Sequence, residues 1–138
     1  MKYTHAKNNK ILVGLLLTTS LFVFGYWASV FTGVFPVEEI VPGYKTWFMS
    51  FPIPDFYIAI CAILSVYHLN SNKKLSGLFG AMTGSGLLFL GLYAGAYGHN
   101  TGLLYILTTD EMIEIAIKVY CLTAGTYFVR KSWKLINQ

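Results

Sequence analysis

Charge is scarce in this chain. Only 12% of its 138 residues are Asp, Glu, Lys or Arg, against about 25% in a soluble domain, too few to clothe a water-facing surface on all sides. Cysteine is limited to Cys61 and Cys121, each inside an apolar run, with no C-x-x-C pair. The motif of a thioredoxin-like or quinone-linked disulfide centre is therefore missing, and both residues read as small buried hydrophobes. All four prolines fall between Pro36 and Pro54, which leaves the rest of the chain free of that helix breaker. The three histidines are scattered at His5, His68 and His99, too far apart to ligate one metal or haem. No H-E-x-x-H, phosphate-binding loop, nucleophile elbow or dinucleotide fingerprint occurs. Neither a cofactor nor a metal is expected.

What is present is apolar surface. Hydrophobic residues make up 55% of the chain, and four stretches approach or exceed the roughly 20 residues that cross a bilayer. They are predicted as helices over 11–35, 53–69, 75–97 and 112–129, joined by an interfacial loop over 36–52. The first follows Lys2, Lys7 and Lys10 as a signal peptide would. It is too long and too aromatic for one and lacks a clear small-residue cleavage site, so it is read as a retained helix. In the loop, Trp47, Phe48, Met49 and Phe51 suggest a short amphipathic turn capping the bundle. Pro54 and Asp55 suit the first turn of the second helix. Asn70, Ser71 and Asn72 end it, and the short hairpin makes the second and third helices antiparallel neighbours. In the third helix Gly77, Gly84, Gly91 and Gly98 recur every seven residues. Such a stripe lets helix backbones approach closely in lipid, either within the bundle or against a partner.

The charges then divide. All six acids (Glu38, Glu39, Asp55, Asp110, Glu111 and Glu114) fall on one predicted side. Every base except Lys45 and Lys118 falls on the other. By the positive-inside rule both termini are cytoplasmic. The basic residues form short clusters beside apolar segments, without a stripe interleaved with aromatics, so nucleic acid is not an expected partner. The fold class predicted is all-α: a polytopic four-transmembrane-helix bundle forming one domain, multi-pass in the cell membrane.

Dipole partnership accounts for Asp55, Asp110 and Glu111 at helix N-termini. It covers Glu114 and Lys118 least well. Glu111, Glu114 and Lys118 share one helix face at i, i+3 and i+7, and Glu114 and Lys118 have the i, i+4 order that favours an ion pair. Ionisable residues within a bilayer usually face the bundle interior or a wet cavity. Asp55 enters at the same level. The predicted ligand-binding set is Asp55, Glu111, Glu114, Lys118, Tyr57 and Tyr93, lining an outward-facing polar pocket, with Tyr97 and Tyr105 as further sources of hydroxyls and ring faces.

Three readings of function follow. The first is a protein that binds, or helps to move, a small cationic or lipid-like ligand. The second is a non-catalytic accessory subunit that meets a membrane-protein partner, or a second copy of itself, through Gly77, Gly84, Gly91 and Gly98. The third is a membrane enzyme using Asp55 or Glu114 as acid or base; it lacks an evident second catalytic group and ranks last. Two small membrane families are disfavoured by absences. The cysteine pair of quinone-linked disulfide enzymes is missing, and so is a glutamate inside helix one of the kind small multidrug transporters carry.

Overall fold

The structure, a computed structural model, describes residues 2–138. The side chains of residues 2–9 and of Asp110 lie outside the described residues, and with them the expectations attached to Lys2, His5, Lys7 and Asp110. Helix α1 spans Lys2–Phe31, α2 Tyr44–Phe48, α3 Pro52–His68, α4 Lys73–Thr101 and α5 Thr109–Ile136, with a 3-10 turn at Leu103–Tyr105. Among the described residues there is no strand. Four segments are long and apolar enough to cross a membrane: Lys10–Phe31, Tyr44–His68, Lys73–Thr101 and Glu111–Ile136. Large apolar side chains such as Leu21, Phe22, Ile53 and Leu92 are exposed on the flanks, as expected of a multi-pass membrane protein.

The helix ends have local causes. α1 stops at Phe31 rather than continuing to Phe35, because Gly33 takes the left-handed conformation at φ 75°. The Phe35 amide then turns back to the Ser29 carbonyl at 3.0 Å, closing the helix with a glycine. In the loop that follows, the Glu39 carboxylate accepts from the amides of Gly43 and Lys45, at 2.5 and 2.8 Å, and so fixes the start of α2. Pro52 and Pro54 open α3, where a missing amide hydrogen does no harm. The Asn72 side chain accepts from the Leu75 amide at 3.1 Å and caps α4. α4 runs past Gly98 and ends only at Gly102, at φ 79°. α5 outruns its expected end at 129 because no glycine or proline interrupts the run to Ile136, and its last turns have α4 to pack on.

That packing is close. A methyl group on Gly84 would stand 2.8 Å from the Gly125 carbonyl oxygen, and one on Gly125 would stand 2.8 Å from that of Gly84. One turn-pair toward the N-terminus of α4, Gly77 lies against Ser132 and Ile136; one toward its C-terminus, Gly91 lies against Cys121 and Leu122. Gly77, Gly84 and Gly91 therefore face α5 of the same chain, while Gly98 lies against Leu104 and the Lys118 ammonium. Ser65 and Ser76 stitch α3 to α4, each hydroxyl donating to the other residue's carbonyl at 2.8 and 2.7 Å. The Ser20 hydroxyl donates across to the Ala59 carbonyl at 3.0 Å and holds α1 on α3. The helices thus pack in the sequence α1–α3–α4–α5, while α1 and α5 scarcely touch.

Gly84→Ala is expected to destabilise the fold by about 1–3 kcal/mol, the usual cost of overpacking. Gly25→Ala, where the added carbon meets nothing within 4 Å, is expected to be neutral or slightly stabilising. Thermal unfolding of the two variants in detergent distinguishes them; equal melting temperatures would remove the close α4–α5 contact from the account.

Candidate functional site

The open seam between α1 and α5 is a cavity of about 470 Å³, within the range of small-molecule sites. Thr19, Val23 and Trp27 of α1 form one wall, and Ile113, Ile117 and Tyr120 of α5 the other. Leu87, Leu90, Gly91 and Ala94 of α4 form the floor between them. Spacings of three, four and seven residues place each of these sets on one helix face. Phe22, Ile113 and Ile117 line the cavity and are also 69%, 43% and 41% exposed. The cavity therefore reaches the lateral surface of the bundle.

Its two ends are closed differently. Toward the loops, Trp47, Phe48 and Phe51 cover it. This lid is anchored by the stack of Trp47 on Tyr97, with ring centroids 3.8 Å apart and planes 7° apart. The packing of Phe48 on the fully buried Trp27 at 5.4 Å fixes it on the α1 side. At mid-helix, the Thr19 and Tyr120 hydroxyls share a hydrogen bond of 2.7 Å that bridges α1 to α5.

Three charged residues break the apolar lining: Asp55, Glu114 and Lys118. Glu114 is well satisfied. Its Oε2 accepts from Lys118 Nζ at 3.1 Å, and its Oε1 accepts from the Tyr44 hydroxyl. The carboxylate thereby ties α5 to the lid helix. Asp55 is less well served. Its Oδ2 accepts from the Trp27 indole nitrogen at 2.8 Å, but its Oδ1 is buried without a hydrogen-bond partner among the described residues. The Trp47 indole nitrogen, on the same cavity, is likewise buried without one. An unmade hydrogen bond at a buried polar atom costs about 1–3 kcal/mol, and such atoms call for an explanation.

The six residues singled out from sequence do not all meet here. Asp55, Glu114 and Lys118 do. Glu111 is buried one turn before Glu114 but does not line the cavity. Tyr57 is 52% exposed on the outer face of α3. Tyr93 stacks on Phe89 at 5.7 Å, also off the cavity. Tyr105 instead meets His99, with 2.6 Å between its hydroxyl and the ring Nδ1. The walls are also mainly apolar rather than polar. Sequence reasoning did not find Trp27, Thr19, Tyr44 or Tyr120 as polar partners across helices, since each bond joins distant segments. Among the described residues no group of three His, Cys, Asp or Glu side chains could hold a metal ion, and Cys61 and Cys121 are buried free thiols.

No family model matches the chain, and no curated protein or solved structure is significantly similar to it.

Proposed function

We propose that this chain is a membrane-embedded binding protein for a small amphiphile, held in the cavity between α1 and α5. The observation that carries this reading is the combination of apolar walls with a carboxylate oxygen that has no hydrogen-bond partner among the described residues. Binding pockets pair a mainly hydrophobic lining with a few polar groups that orient the ligand. An enzyme needs a second reactive group near Asp55. Glu114 is the obvious choice, but Lys118 and Tyr44 already occupy it. An accessory subunit would have to offer a surface other than Gly77, Gly84 and Gly91, which pack against α5.

The protein lies in the cell membrane with both termini cytoplasmic, the orientation favoured by its basic residues. The lid and the outer part of the cavity then lie toward the external face. Labelling of intact cells by a membrane-impermeant maleimide tests this. Ser50→Cys is expected to react and Asn72→Cys to remain unlabelled; the reverse pattern would invert the topology.

Filling the cavity tests the binding role. Ala94→Phe and Val23→Phe enlarge two apolar lining side chains and leave every polar residue unchanged. Dodecanol and N,N-dimethyldodecylamine serve as probes. At about a hundredfold excess over Kd, ligand linkage adds about 2.7 kcal/mol of stability. The unmodified protein is expected to melt higher with at least one probe, and both variants are expected to lose that rise. A rise that persists in both variants would place the ligand elsewhere.

A further inference from the structure

The lone carboxylate and the open flank together specify the ligand more closely. Resting on the binding role proposed above, we infer that the cavity selects a cationic amphiphile. Its ammonium pairs with the Asp55 carboxylate, and its chain leaves sideways between α1 and α5 into the bilayer.

The head-group assignment follows from charge and from hydrogen bonds not yet made. Two carboxylates and one ammonium line the cavity, which leaves one negative charge in excess. The Glu114–Lys118 pair is internally compensated and further bonded by Tyr44. Among the described residues, Asp55 has only the neutral Trp27 indole as a donor, on one oxygen. The other oxygen is buried and without a partner among the described residues. An ionised carboxylate in an apolar setting is strongly disfavoured unless paired, and a charge-assisted N–H···O bond is the strongest partner available to it. An anionic head would face the wrong sign at Asp55 and would have to break the Lys118 pair. A hydroxyl would satisfy the oxygen but leave the excess charge.

The route follows from what closes the cavity and what does not. Aromatic rings cover the loop end, and α4 forms the floor. Among the described residues, the exposed side chains of the lining are Phe22 on α1 and Ile113, Ala116 and Ile117 on α5, so the cavity opens on this flank. The Thr19–Tyr120 bridge marks its far limit. An alkyl chain directed out there meets apolar side chains on both sides and then lipid.

Three probes with one chain and different heads test this: N,N-dimethyldodecylamine, dodecanol and dodecanoate. Each is titrated near neutral pH into the full chain held in phosphatidylcholine nanodiscs. The fluorescence of Trp27 and Trp47, both on the cavity wall, reports binding, with empty nanodiscs correcting for partition. The amine is expected to bind about tenfold or more tightly than either other probe, the scale of one charge-assisted hydrogen bond. Asp55→Asn is expected to abolish that preference while dodecanol still binds. Equal affinities, a preference for dodecanoate, or an amine preference that survives Asp55→Asn would overturn the head-group assignment and leave the cavity as a binding site. If no probe binds the unmodified protein, both the assignment and the binding role fail. Should Asp55→Asn not fold, the ratio measured on the unmodified protein decides, and a ratio near one overturns the assignment.

Discussion

Everything distinctive in this bundle depends on how closely α4 and α5 approach. At Gly84 and Gly125 the two backbones meet with no room for a β-carbon on either side. Small residues bring helices together in this way where lipid removes the hydrophobic drive between them. With α5 drawn onto α4 along its length, and α1 held on α3 by the Ser20–Ala59 bond, the bundle has no fourth tight seam. Between the Thr19–Tyr120 bridge and the aromatic lid, the space between α1 and α5 stays open. The cavity is thus what remains when one helix pair packs as tightly as backbones allow.

That origin explains the uneven treatment of the charged groups. The lid folds down because Glu39 caps α2 and Tyr44 reaches Glu114. The same contact finishes satisfying Glu114, which already has Lys118 one turn along its own helix. Asp55 has no such neighbour on α3, and among the described residues its one donor comes from α1. Its second oxygen is buried without a hydrogen-bond partner among the described residues. The proposed ligand would supply the donor that Asp55 lacks among the described residues.

The four long helices were legible in the sequence because apolar run length and charge punctuation are local properties. Their ends were less so. The stop at Gly33 depends on one residue's backbone angle, and the late end of α5 depends on α4 being there to receive it. Within the site, the Glu114–Lys118 pair was readable from i, i+4 spacing alone. Trp27–Asp55 and Tyr44–Glu114 were not, since they join residues 28 and 70 positions apart. Tyr57 shows the opposite error. Two positions after Asp55 is roughly 200° around a helix, so a residue at the right depth faces the wrong way. The glycine stripe was visible as a close-packing face, but which helix it would meet is a tertiary matter.

The central claim is that the seam between α1 and α5 admits an alkyl chain from the bilayer as far as Trp27, a side chain only 1% exposed. It is tested most directly in a protein whose sole tryptophan is Trp27, with Trp47 and Trp133 replaced by phenylalanine, reconstituted in phosphatidylcholine brominated along its acyl chains. Bromine quenches tryptophan only at short range. The account predicts strong quenching of Trp27 that falls sharply when Ala94→Phe fills the cavity. Quenching of the same extent with the cavity open and filled would contradict it.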